Sequence, residues 1–201
     1  MEKRWVIKDA DEDKVNSLQQ DLKVHPVVCK LLVQRGIYTY EAARKFFRPV
    51  LTDLYDPFLM KDMQKAIDRI NTAIANNERI LIYGDYDVDG TTSVALAYSF
   101  FYSIYKNIDY YIPDRYLEGY GISTKGIDHA KQTECSLVIA LDCGIKAVDK
   151  IAYANTLGVD FIICDHHIPG DEVPAAFAVL DPHQKDCNYP YKELSGCGIG
   201  F

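Results

Sequence analysis

The stretch RILIYGDYDVDGTTSVALAYSFFYSIY, residues 79–105, decides the architecture. It opens with a short apolar run rich in β-formers (79–85) and continues into an apolar segment (91–105) that suits a buried helix. Downstream the alternation repeats. DYYIP (109–113), SLVIALD (136–142), DFIICD (160–165) and FAVLD (177–181) read as strands, and residues 123–132 and about 146–157 read as helices. Strands of continuous apolar character separated by helices predict an α/β fold, a mostly parallel sheet of about five strands covered by helices on both faces. Upstream, the pattern is helical. His25-Pro26 precedes an apolar run that stops at Gly36, Thr39 is placed to cap a short helix, and Met63, Ala66, Ile67, Ile70 and Ile74 share one helical face. The expected organisation is a helical N-terminal region, 1–77, followed by the α/β domain, 78–201.

Charge narrows the function. The chain has 201 residues and a net charge of −7, from 22 basic and 29 acidic side chains. Residues 1–60 carry ten basic and nine acidic groups, and residues 61–201 carry twelve and twenty, so the negative balance lies wholly in the later part. That excludes a protein that coats nucleic acid by charge alone, but not an enzyme that holds cations among carboxylates. The charged start MEKRWVIKDADEDK has no apolar core of a secretory signal, and no apolar run approaches the roughly 18 residues of a membrane span. The six cysteines form no Cys-x-x-Cys pair and several sit in apolar runs, so they read as free thiols in a reducing cytoplasm.

Three predicted strands end in acids: Asp85-Tyr-Asp87-Val-Asp89-Gly90, Asp142-Cys143-Gly144 and Asp165-His166-His167. In open parallel α/β sheets ligands bind beyond the carboxyl ends of the strands, so these groups converge on one edge. Asp85, Asp87 and Asp89 alternate, which on extended backbone places all three side chains on one side. Carboxylates so close raise one another's pKa unless a cation neutralises them, and oxygen plus imidazole donors suit Mn²⁺ or Mg²⁺. Gly90-Thr91-Thr92 opens the next helix, where free N–H groups make a seat for phosphate. A metal cluster beside a phosphate seat points to phosphoester hydrolysis. Each element alone has a plainer reading. An isolated Asp-x-Asp is as often a helix cap, Asp142-Cys143-Gly144 a turn, His166-His167 a surface pair, and His25, His129 and His183 structural or exposed. Coincidence on one edge favours the site.

These residues resemble the DHH phosphoesterase superfamily, named for the triplet seen here as Asp165-His166-His167, and within it the RecJ single-strand-specific exonucleases. GDYDVDGTTS (84–93), ALDCGI (140–145) and CDHHIPG (164–170) are similar to their first three motifs. The likeness extends through LLVQRGIYTYEAARKFFRP (31–49), YIPDRYLEGYGIS (111–123) and YPYKELSGCGIGF (189–201). The resemblance implies that Asp87, Asp142 and His166 bind one metal, that Asp89 helps bind a second with Asp142 shared, and that Asp85 completes or orients the set. It implies that His167 touches the scissile phosphate, that Asp165 orients the histidines, and that Arg115 contacts substrate phosphate. It also implies two divalent ions, Mn²⁺ or Mg²⁺, in the complete enzyme. The implied substrate is single-stranded DNA, degraded from 5′ to 3′ in recombination and repair, with a single-strand-binding protein and a helicase as further partners and no membrane. Family members supply a further metal-binding Asp and a second domain beyond the Ser195-Gly196 segment, so little nuclease activity is expected of residues 1–201 alone. Asp181 and Cys197 stand where Asn and Ala are usual, and both read as neutral exchanges.

Other classes fit less well. A DHH-family phosphoesterase for small nucleotides or pyrophosphate lacks the flanking likeness. Asp87-Val-Asp89-Gly90-Thr91 reproduces the DxDGT of haloacid-dehalogenase-like phosphatases, where the first Asp is the nucleophile, but Asp142 and the His pair have no place there. An inactive DHH scaffold would not need Asp87, Asp89, Asp142 and His166 intact.

Overall fold

The structure is a computed structural model that describes residues 4–201. The chain divides into two compact units, Met1–Leu54 and Tyr55–Phe201. The first holds α1 (Glu12–Leu22), α2 (Pro26–Val33) and α3 (Tyr40–Phe47), which bury Val15, Leu18, Cys29, Leu32 and Ala43 together. Their boundaries follow local chemistry. Asp11 and Thr39 accept backbone N–H groups as caps, Pro26 opens α2 with His25 as its cap, and Gly36 follows it at φ +79°.

The second unit begins with α4 (Met63–Ala75), which the sequence grouped with the helical region but which packs Ala66 and Ala73 into the same apolar cluster as the sheet. There follow β1 (Arg79–Gly84), α5 (Val88–Ile104), β2 (Ile108–Tyr111), α6 (Thr124–Gln132), β3 (Cys135–Leu141), α7 (Val148–Thr156), β4 (Asp160–Cys164), β5 (Ala178–Leu180) and the short α8 (Gly196–Gly200). All strands pair in parallel, in the order β2-β1-β3-β4-β5. The second strand ends at Tyr111, short of Pro113, which has no N–H to offer a ladder. Side chains alternate across the sheet: Ile80 and Ile82 face the cluster with α4 and α5, and Leu81 and Tyr83 face the one with α6 and α7. Burial on both faces is why these strands read as unbroken apolar runs. No helix among the described residues is long and apolar enough to cross a membrane.

Register is what positions the site. Gly84 pairs with Leu141, Leu141 with Cys164, and Cys164 with Leu180. The residues one step beyond are Asp85, Asp142, Asp165 and Asp181, so four aspartates stand in a row across four adjacent strand ends. All are at most 1% exposed. The row is continued by backbone bonds from Asp142 N to Cys164 O (2.8 Å) and from Asp165 N to Leu180 O (3.0 Å).

The first turn of α5 lies directly on the end of β1. A Cβ at Gly90 would stand 2.6 to 2.8 Å from the backbone O, N and C of Asp85, a contact that only backbone movement relieves. Gly90→Ala is therefore expected to lower stability by about 1–3 kcal/mol, the usual cost of forcing a methyl into a packed interior, read as a lower urea midpoint at unchanged slope.

Candidate metal centre

Each acid on the carboxyl edge meets a different set of donors. Asp165 is satisfied in full. Its Oδ1 accepts the N–H groups of His166 (2.8 Å) and His167 (3.2 Å) and lies 2.7 Å from His167 Nδ1, while Oδ2 accepts the N–H of Ile145 (2.9 Å). Asp142 is not satisfied. Its Oδ1 is buried without a hydrogen-bond partner, 3.2 Å from His166 Nε2 but out of line for a bond. Asp142 also adopts φ +60°, uncommon for a residue with a side chain and a form of strain that collects at functional sites. Burial, then the Asp89 and Asp87 carboxylates, push its pKa up to about 7. Asp85 resembles it: Oδ1 accepts the Tyr86 N–H (2.7 Å), Oδ2 is buried without a partner, and burial, with Asp87 adding, raises its pKa.

The two acids on α5 have work in the fold as well. Asp87 is exposed and caps the helix, accepting the Gly90 N–H at 2.9 Å. Asp89 receives the N–H groups of Gly196 and Cys197, both at 2.7 Å, and so caps α8 from another element. Its Oδ2 lies 3.9 Å from His166 Nε2, which thus stands between Asp89 and Asp142. Gly196 is required there, because a Cβ on it would sit 2.2 Å from Asp142 Oδ1. Among the described residues, Asp142, His166 and His167 each offer one ligand atom within 4.8 Å of the others. The two histidines differ. Both nitrogens of His167 are engaged, Nδ1 by Asp165 and Nε2 by the Tyr120 hydroxyl at 3.1 Å. Burial opposes the charged form of His167, and the Asp165 carboxylate outweighs it, so its pKa is raised. Buried oxygens without donors beside an imidazole nitrogen form a set that a hard or borderline divalent cation fits.

The open anion seat expected at Gly90-Thr91-Thr92 is not what the first turn of α5 presents. Asp87 takes the Gly90 N–H, and the Thr91 and Thr92 hydroxyls turn back onto the carbonyls of Asp87 and Val88, both at 2.6 Å. The Asp87 carboxylate thus takes one N–H of this helix start, that of Gly90. Arg115 is exposed and reaches the site indirectly, its guanidinium 5.4 Å from the centre of the Tyr86 ring, which meets Tyr120 edge-on, which in turn meets His167.

Asp181 does not stand out by sequence as a site residue. It is fully buried, its Oδ1 accepts the His183 N–H (2.7 Å), and its Oδ2 has no partner. The signal is nonetheless present: FAVLD ends in an acid as the other three strands of the row do.

An all-parallel sheet with acids and paired histidines on its carboxyl edge defines the class, and the chain belongs to the DHH family, whose N-terminal domain matches residues 79–201. Among named relatives it is 46% identical to the single-stranded-DNA-specific exonuclease RecJ of Bacillus subtilis over 98% of this chain, and it spans 25% of that protein's length. A crystal structure of exonuclease RecJ bound to manganese matches 73% of the chain and 37% of its own, at 26% identity and TM-score 0.65. RecJ of Thermus thermophilus in complex with Mn²⁺ shares the fold over 95% of the chain and 26% of its own, at 23% identity and TM-score 0.69.

Burial, then the nearby Asp165 carboxylate, push the pKa of Asp181 up to about 6 against an ordinary 3.8. The folded state thus holds this proton more tightly than the unfolded one, so its contribution is complete below about pH 4 and lost as pH rises through about 6. Asp181→Asn, which keeps the acceptor for His183, is expected to change stability little at pH 4 and to raise it by about 1–3 kcal/mol at pH 7.5. Urea unfolding at the two pH values checks this.

Proposed function

We propose that these residues form the metal-binding, bond-cleaving part of a phosphodiesterase that removes nucleotides from the 5′ end of single-stranded DNA, in recombination and repair. The observation that carries the reading is the Asp142–His166 pair: a buried carboxylate oxygen with no donor, 3.2 Å from an imidazole nitrogen. Asp87, Asp142 and His166 would hold one Mn²⁺ or Mg²⁺, and Asp89, with Asp142 shared, a second, with Asp85 completing the set. When bound, such ions supply an activated water and charge for an in-line displacement at phosphorus. His167, held at Nδ1 by Asp165, would meet the scissile phosphate through Nε2 in place of the Tyr120 hydroxyl, and the raised pKa favours its charged, donating form. Asp165 aims both histidines and is too fully hydrogen-bonded to be a ligand itself. Arg115, resting on Tyr86, meets substrate phosphate at the rim.

Substrate and polarity rest on likeness to the exonucleases named above, of which the chain spans about a quarter in the B. subtilis case. A cytoplasmic protein working with a single-strand-binding protein and a helicase belongs to the same reading, as does a DHH domain, 78–201, after a helical region, 1–77, whose last helix packs with the sheet.

Mn²⁺ titration of this chain, followed by calorimetry or electron paramagnetic resonance, is expected to show saturable binding. Asp142→Asn should weaken it by about tenfold or more, as loss of a charged ligand does, without lowering metal-free stability, because it also removes a buried charge that faces other acids. Wild-type affinity in that variant would remove Asp142 from the ligand set. Gly196→Ala, whose methyl would strike the Asp142 carboxylate, should weaken binding without touching a ligand's chemistry. In a chain of the relatives' full length, release of the 5′-terminal nucleotide before the 3′ one is the expected order. Preference for pyrophosphate or a cyclic dinucleotide over DNA would move the reading to the small-substrate branch.

A further inference from the structure

The row of aspartates ends in a unit that the metal reading leaves unused. Asp165 and Asp181 close neighbouring strands, and each folds the next residues around itself in the same way. Asp165 accepts the N–H of the residue two positions on and approaches that residue's Nδ1, at 3.2 and 2.7 Å. Asp181 does likewise with His183, at 2.7 Å to the N–H and 3.6 Å to Nδ1. An Asp-x-His turn is thus built twice, side by side, once with the metal-facing pair and once without. In the second turn both Asp181 Oδ2 and His183 Nδ1 are buried and without a hydrogen-bond partner. Such groups cost about 1–3 kcal/mol each when nothing satisfies them, so their retention calls for a use.

Between the two turns lies a cavity of about 440 Å³, lined by His166, His183, Ile168, Lys192, Leu194 and Ser195. That volume is within the roughly 300–1,000 Å³ usual for small-molecule sites. Its wall has the chemistry of a nucleotide site. Lys192 gives two of its three Nζ N–H groups to the carbonyls of Pro182 (2.8 Å) and Cys187 (2.9 Å), which fastens the wall and leaves one donor and the charge for an anion. Ser195 receives the Gly198 N–H on its Oγ and keeps its own proton to donate. Phosphate recognition can draw on the Lys192 donor and on imidazole, and since His166 faces Asp142 and Asp89 the imidazole of the cavity's other side is His183. Ile168 and Leu194 offer apolar surface to a base or sugar, and Glu193, also on the wall, offers an acceptor to a sugar hydroxyl.

We propose that His183 is a second substrate-facing histidine, placed by the bond of its backbone N–H to Asp181, and that the cavity it shares with His166 takes a nucleoside 5′-monophosphate, the unit released by the cleavage. The proposal rests on the phosphoesterase reading above for the nature of the ligand; it shares His166 with the metal set, and His183 is the residue that belongs to the cavity alone.

The test is a titration of the chain with thymidine 5′-monophosphate, with diamagnetic Mg²⁺ and again in excess chelator, following the histidine Cε1–H resonances by NMR. The His183 signal, assigned by its loss in His183→Asn or His183→Gln, is expected to move on binding. Affinity should fall about tenfold or more in both variants, with Mn²⁺ affinity and thermal midpoint at wild-type values. One folded variant of the two suffices for the assignment, and the shift itself is read on the wild-type chain. An unmoved His183 signal overturns the proposal, as does unchanged nucleotide affinity in the folded variants or a parallel loss of Mn²⁺ binding. Inorganic phosphate binding as tightly, and moving His183 equally, overturns the nucleotide assignment. Failure of the wild-type chain to bind Mn²⁺ would sink the metal reading instead, and the chelator arm would still report on His183.

Discussion

Everything at the carboxyl edge follows from one constraint: the register of a parallel sheet sets four aspartates in a row, one strand spacing apart, and buries them. Neighbouring strands lie about 4.8 Å apart, a distance at which like charges in a partly dry environment repel by several kcal/mol. Backbone donors answer this completely for Asp165, which takes three N–H groups and an imidazole. Asp85, Asp142 and Asp181 each keep a buried oxygen with no partner. The fold thus concentrates unsatisfied negative charge where the strands end and leaves its neutralisation to something other than its own side chains.

The site is also woven into the fold by its own acids. Asp87 starts α5, and Asp89 reaches across to start α8, whose N–H groups hold both of its oxygens. A carboxylate oxygen has room for more than one partner, so the cap and a cation can share it. The same bonds bring Gly196 against Asp142 so closely that no side chain fits between them. Movement of α8 would therefore be felt at Asp89 and Asp142 together. The placing of Asp89 and Asp142 is set by secondary structure as much as by side-chain rotamers, which makes their geometry rigid.

Much of this is legible in sequence, for a physical reason. Strands buried on both faces are unbroken apolar runs, and the acids that stop them at Asp85, Asp142 and Asp165 stand out against that background. Asp181 is as visible, but Pro182 follows it in place of a second polar group, and the lone His183 reads as structural until the sheet places it beside His166. The apolar face of α4 is clear, yet periodicity names a face and not the core that receives it; the helix lies in the unit that starts at Tyr55. The cap at Gly90-Thr91-Thr92 is less legible, for a different reason. A helix start offers free N–H groups only when no side chain claims them, and Asp87, counted as a ligand, is also in position to cap.

The triplet Asp165-His166-His167 shows why this site needs a motif and not merely its residue types. Both histidine N–H groups converge on one oxygen of Asp165, which fixes the backbone so that the two rings diverge at 61° with their centres 4.7 Å apart. One ring faces Asp142 and Asp89, and the other takes Asp165 at one nitrogen and Tyr120 at the other. Phosphoester cleavage needs cation binding and phosphate recognition within a few ångströms, by groups that do not compete. Two histidines on separate elements would need two independently positioned scaffolds to achieve this. Consecutive histidines pinned by one buried, fully bonded carboxylate are set in two directions within three residues, one ring towards Asp142 and Asp89 and the other between Asp165 and Tyr120.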